Sequence, residues 1–184
     1  MPERPAPIAR AAFVVAFVPG VTPGKWERIW RERMPQSPLE LRPASAESAL
    51  SAVRDGTASM AFLRDVSASD DLHVIQLYRE QAVVVASKDS GVAAYESLTL
   101  ADLAGEVMLD GWTSETVELV AAGVGLALMP QSVARGFSRR DVVARPVEDA
   151  ADSGIGLAWL ATSKDPRVDT FVGIVRGRTA NSTR

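Results

Sequence analysis

The sequence predicts an α/β domain built from βαβ crossovers. Three observations carry this. Short β-rich apolar runs recur at Phe13-Val-Val-Ala-Phe-Val, Leu39–Leu41 and Ser59-Met-Ala-Phe-Leu. Stretches with apolar residues every three or four positions separate them, the repeat of an amphipathic helix. Pro and Gly stand at the junctions, as at Pro19-Gly20, Pro35 and Gly56. Strand, helix, strand, helix, strand is the order of a parallel sheet with crossover helices.

The first run reads as a buried strand stopped by Pro19-Gly20. Pro23 suits the first turn of a helix. Trp26, Ile29, Trp30 and Met34 then form one helical face, closed by Pro35. Its Arg28, Arg31 and Arg33 alternate with Glu27 and Glu32, a solvated charged face. Ser45 is placed to cap the next helix, whose stripe is Ala46, Ala49, Leu50 and Val53, with Gly56 as its stop.

Beyond the third strand the pattern gives two more, Val74–Tyr78 and Ala82–Ala86, joined by Arg79-Glu80-Gln81. Thr99 with Asp102 has the spacing of a capping box on a short helix. Val107–Leu109 reads as a brief strand and Glu115–Ala122 as a helix. Gly123–Pro130 reads as a buried strand and Ser132–Phe137 as a short helix. Val142–Arg145 and Ile155–Ala161 are strands, and Pro166–Val175 is a closing helix.

Composition narrows the function classes. The chain has 184 residues, 47% hydrophobic and 23% charged, with a net charge of −3. That balance is ordinary for a globular domain and lacks the basic excess of a nucleic-acid binder. There is no cysteine and one histidine, His73. Disulfides, thiolate chemistry and His-rich zinc sites are excluded. No apolar run reaches the length of a membrane span, and no signal peptide is read, so a cytoplasmic location is expected. No Gly-x-Ser-x-Gly elbow is present, and no acid/base or nucleophile constellation points to an enzyme.

Several segments together resemble the effector-binding domain of LysR-type transcriptional regulators. Ser97-Leu-Thr-Leu-Ala-Asp-Leu-Ala-Gly is similar to the family's opening of its second lobe. Val120-Ala-Ala-Gly-Val-Gly-Leu-Ala-Leu-Met-Pro resembles its Gly-x-Gly strand ending in proline. Arg54-Asp-Gly-Thr-Ala-Ser-Met-Ala-Phe-Leu-Arg resembles its helix end and third strand, with Ser59 in place of the usual Asp. Tyr78-Arg-Glu-Gln-Ala-Val-Val-Val resembles the crossing between lobes. The resemblance spans about residues 12 to 176. It implies a two-lobed, periplasmic-binding-protein-like fold. The first lobe takes residues 12–81 plus about 155–176, and the second takes 82–154. A disordered lead (1–11) and a flexible basic tail (177–184) flank them. Two departures are read. The winged helix-turn-helix that precedes this domain in the family has no counterpart before Phe13. Leu109–Glu115 is too short for the strand and helix the family places there, so the second lobe is expected to be reduced.

Candidate site residues follow from the carboxyl-end rule of open α/β sheets. Gly20, Val21 and Thr22 follow the first strand, at a helix N-terminus that offers N–H groups and positive potential to an anion. The loop Gly20-Val-Thr-Pro-Gly-Lys25 is not a P-loop: its glycines are too close and Trp26 replaces the Mg²⁺-binding hydroxyl. Thr22 either donates to a ligand or caps its own helix. Ser45 follows the second strand. Phe62 lies in the third strand and Arg64 follows it. In the family a basic residue at this strand end is one of the places that hold acidic effectors, and a guanidinium grips a carboxylate by two parallel bonds. The alternative for Arg64 is a surface pair with Asp65 or Asp70. Val124 and Gly125 are expected at the cleft from the second lobe, or else form only a tight helix-to-strand turn.

The expected function is sensing of a small organic anion, without catalysis and without a cofactor. The expected partners are a second copy or a LysR-type regulator, with no direct DNA contact and no membrane. The alternatives are an interaction or dimerisation module without a working cleft, or a cytoplasmic solute-binding protein.

Overall fold

The computed structural model describes residues 12–177. The lead (1–11) and nearly all of the tail (177–184) lie outside the described residues.

The first sheet has five strands: β1 (Phe13–Phe17), β2 (Leu39–Pro43), β3 (Met60–Arg64), β4 (Leu72–Glu80) and β8 (Ser153–Leu160), in the order β2-β1-β3-β8-β4. The first three are parallel, joined by the crossover helices α1 (Gly24–Arg33) and α2 (Ala46–Arg54). β8 returns from the end of the chain and pairs antiparallel with both β3 and β4. The second sheet has three strands, β6 (Ala127–Pro130), β5 (Ala82–Ser87) and β7 (Val142–Pro146), all antiparallel. Helices α3 (Ser114–Ala121) and α4 (Gln131–Gly136) belong to it, and α5 (Pro166–Val175) closes the first sheet. This is the two-lobed, periplasmic-binding-protein-like α/β fold, with a three-stranded second sheet.

Each lobe has its own core. In the first, Phe13 stacks on Trp30 and Trp26 on Phe62, with centroids 4.8 and 4.7 Å apart and Phe171 edge-on to both stacks. The two tryptophans are buried where the helical stripe places them. Offset stacks of this kind add about 0.5–1.5 kcal/mol each beyond the area they bury. In the second lobe every residue of β5 is buried. Val83 and Val85 join one cluster and Val84 and Ala86 another, because the strand is covered on both faces. A doubly covered strand reads as a continuous apolar run.

Local signals hold in several places. Ser45 Oγ accepts from Ser48 N at 3.1 Å, capping α2. Thr99 and Asp102 form a reciprocal capping box on the 3₁₀ turn Leu100–Leu103. Three expectations are corrected. Val107–Leu109 is not a strand of the sheet; it makes one parallel bridge, Met108 to Leu126. The run from Gly123 is not all strand: Gly123 turns the chain at a φ of +75°, Leu126 makes only the bridge to Met108, and β6 begins at Ala127. Arg79 and Glu80 belong to β4, which leaves Gln81 alone between it and β5.

Candidate functional site

The parallel strands β2, β1 and β3 end at one edge of the first sheet, facing the second lobe. The stretch after β1 turns sharply at Gly20, whose φ is +91°. A side chain there would strike Ser132 Oγ, and Arg64 Nη2 lies 3.1 Å from the same point. Only glycine admits this approach.

The three donors expected at this edge come from its three strand ends, but their roles differ. Thr22 is exposed and its hydroxyl has no hydrogen-bond partner among the described residues. It does not cap α1, whose N-cap is Pro23 without a side-chain bond. Ser45 is exposed, and its hydroxyl bonds both the backbone N–H and, at 2.9 Å, the Oγ of Ser48. Its helix still presents first-turn N–H groups beside it.

Arg64 is not a free gripping group. Its Nη1 donates to Glu80 Oε2 at 2.8 Å and to Ser153 Oγ at 2.7 Å, and its Nη2 donates to the Pro19 carbonyl at 3.3 Å. The side chains of Arg64 and Glu80 are only 7% and 10% exposed, so this is an interior ion pair. The expected alternatives, Asp65 and Asp70, are not its partners. Asp65 takes a left-handed backbone and accepts from Gly154 N at 2.6 Å.

Glu80 Oε2 also accepts from Ser132 Oγ at 2.7 Å. Ser132 lies in the first turn of α4, in the other lobe. The indole of Trp112 covers the Arg64 guanidinium at 5.7 Å, while Trp112 Nε1 donates to the Leu128 carbonyl at 3.0 Å. Burial raises the Tyr78 phenol above its ordinary range; the nearby charge of Glu80 adds to this and Arg64 opposes it. One arginine is thus bound to its own lobe's carboxylate, and that carboxylate is bound to the second lobe.

Four expected residues fall elsewhere. Phe62 is wholly buried, stacked on Trp26 of α1. Val21 is 5% exposed and its N–H goes back to Val18 O at 3.3 Å. Both are core. Val124 and Gly125 lie just before β6, whereas Ser132, which bonds Glu80, lies just after its end. Pro130 pairs with Ala82 beside the crossing and Ala127 with Val85, so residues 124 and 125 sit at the distal end of that sheet. There Gly125 packs against Val107; a Cβ on it would lie 2.5 Å from the Val107 carbonyl. With Ser87, Ser90 and Glu106 they line a separate hollow of about 200 Å³.

Sequence reasoning missed Glu80, Trp112, Ser132 and Ser153. The carboxyl-end rule, applied to β6 as it was to β1, selects Ser132. Applied to the Met108 segment, which runs parallel to β6, it selects the loop holding Trp112. Glu80 carried no local signal: its role depends on a partner sixteen residues upstream. Among the described residues no group of three or more His, Cys, Asp or Glu could hold a metal ion, and no helix is long and apolar enough to cross a membrane. His73 is exposed and packs near Trp159, at 5.7 Å.

A family model described as the LysR substrate binding domain matches residues 15–111 and 113–180. The fold is similar to the BenM effector binding domain with its effector benzoate, at a TM-score of 0.78 and 16% identity over 90% of each chain. It is similar to the reduced form of the OxyR regulatory domain from Pseudomonas aeruginosa. There the TM-score is 0.72 and the identity 17%, over 91% of this chain and 98% of that one. Full-length CbnR complexed with its target DNA matches at a TM-score of 0.72 and 17% identity, over 92% of this chain and 72% of that one. No curated protein matches the sequence.

Proposed function

The chain belongs to the LysR substrate binding domain family, and from that premise we propose that it senses a small organic anion in the cleft between its lobes, as the effector-reading part of a transcriptional regulator. The observation that supports an anion most directly is the edge where β1, β2 and β3 end. It brings the Thr22 hydroxyl, unpartnered among the described residues, the first turn of α2 with Ser45, and the Arg64 guanidinium to one side of the cleft. Free N–H groups at a helix start and an adjacent hydroxyl suit a carboxylate.

Trp112 and Ser132 supply the opposite wall. The effector of BenM is benzoate, an aromatic carboxylate, and an exposed indole face beside a carboxylate-binding rim suits that class of molecule. In this reading residues 12–81 with about 155–176 move as one body and 82–154 as the other, about the crossing at Gln81. The domain pairs side by side with a second copy or a related regulator. With a net charge of −3 it reads the effector and leaves DNA contact to basic segments.

The test is a thermal-shift screen of the full chain against a panel of aromatic and aliphatic carboxylates, followed by calorimetry. A ligand that binds only the native state at a hundred times its Kd stabilises by about 2.7 kcal/mol. At least one acid is expected to raise the melting temperature, with Ser45→Asp removing about half of the effect. A panel without any shift would overturn the reading.

A further inference from the structure

We propose that Glu80 is a built-in occupant of the anion subsite at Arg64, and that an effector's anionic group takes its place there, releasing the second lobe through Ser132. This deepens the reading above and rests on it.

The argument begins with charge. Arg64 and Glu80 are one cation and one anion, almost wholly removed from water. Their bond is direct, at 2.8 Å, and the same guanidinium nitrogen is shared with Ser153. A second anion added to Arg64 would leave two buried negative charges facing one positive charge. An interior charge without a counter-charge costs several kcal/mol. An anionic effector therefore reaches Arg64 by exchange, with Glu80 turning out toward water as the effector turns in.

Exchange has a mechanical consequence because of where Glu80 stands. It is the last residue of β4, one residue from the crossing to β5. Its Oε2 holds both Arg64 and, at 2.7 Å, the Ser132 hydroxyl of the second lobe. Ser132 also occupies the space that a side chain on Gly20 would need. When Glu80 leaves Arg64, it leaves the position at which Ser132 reaches it. The contact between lobes loses its polar fastening at the step that admits the ligand. Trp112, lying on Arg64 from the second lobe, moves with it and reports the change.

Glu80→Gln tests the exchange. The amide keeps the shape and one acceptor oxygen but loses the charge. A charge-assisted bond exceeds a neutral one by about 1–1.5 kcal/mol. Acetate, a probe small enough to reach Arg64 whatever the natural effector is, is titrated into the full chain while the Arg64 Nε–Hε NMR signal is followed. In Glu80→Gln the signal is expected to move at roughly tenfold lower acetate than in the wild type. The same response in both proteins, including none in either, would refute the exchange. Ser132→Ala leaves the ion pair intact and removes one of its ties. It is expected to lower the acetate needed by about threefold; an unchanged response removes Ser132 from the proposal. The carboxylate panel on the wild type tests the sensing reading separately, since it does not depend on which residue the acid displaces.

Discussion

Gly20 and Ser132 touch across the cleft: the space a methyl group would need on Gly20 is held by the Ser132 hydroxyl. Gly20 also stands at a φ of +91°. Gly20→Ala is therefore expected to lower stability by about 1–3 kcal/mol in urea unfolding, through strain and through the pushed-back Ser132. Gly24→Ala is the control. Nothing lies within 4 Å of its added methyl and it opens α1, so its effect is expected to be neutral or stabilising by up to about 1 kcal/mol.

Trp30 ties α1 to the loop beyond it as well as to the sheet. Its indole stacks on Phe13 and donates to the Ser37 carbonyl at 2.7 Å, all at 1% exposure. Trp30→Phe keeps a stackable ring and orphans that buried carbonyl. A loss of about 1–3 kcal/mol is expected from the urea midpoint; a loss below about 0.5 kcal/mol would show that the stack alone holds the loop.

The buried pair gives an asymmetric mutational result. Glu80→Leu leaves Arg64 without its counter-charge and is expected to cost about 3–5 kcal/mol. Replacing both residues, Arg64→Met with Glu80→Leu, removes both desolvation costs and is expected to recover most of the loss. Unfolding curves for the two single variants and the double variant form a cycle that measures this; additive losses would contradict it.

Ser45 has two separable roles. Ser45→Ala removes the cap of α2 and is expected to cost about 1 kcal/mol. Ser45→Asp caps as well as serine but places a negative charge at the rim, so stability is kept while carboxylate binding weakens by about tenfold. Calorimetry alongside thermal unfolding distinguishes them. If Ser45→Asp bound the acid as tightly as the wild type, the rim would not be the binding edge.

Acid sensitivity follows from surface carboxylates held below their usual range. Asp102 is lowered by the Thr99 backbone N–H and hydroxyl, Asp71 by Ser69 and Arg54, and Asp141 chiefly by Arg139. Their folded pKa values lie below the unfolded ones, so they stabilise fully above the unfolded range, near pH 4. That contribution is lost as pH falls through the folded values. The urea midpoint is expected to hold steady from pH 7 to about 5 and to decline below about 4, less steeply in Asp102→Asn. A midpoint that rises on acidification would contradict the assignment.

The elements were legible wherever local physics decides them. The Trp26–Trp30 stripe, the Ser45 cap and the Thr99–Asp102 box need only near neighbours, and the structure contains all three. Phe62 shares a face of β3 with Arg64, two residues on, but it stacks on Trp26 inside the first lobe, whereas Arg64 at the strand's end reaches Glu80 and Trp112. Val124 and Gly125 were assigned by their glycines, and the direction of β6 carries them to the far end. Glu80, Trp112 and Ser132 act on Arg64 through contacts spanning sixteen or more residues of sequence. No periodicity or short motif encodes such meetings; they follow from which strand ends the fold turns toward one another.

β8 has a further consequence for how the chain matures. It is the penultimate element, yet it fills the place between β3 and β4, so Phe62 meets Leu157 across ninety-odd positions of sequence. The three strands β5, β6 and β7 are complete before β8 emerges from the ribosome. Until β8 arrives, the edge of β3 that it covers stays unpaired. Pairings of such long loop length are slow to close, and that exposed edge is the point of greatest vulnerability to aggregation during synthesis.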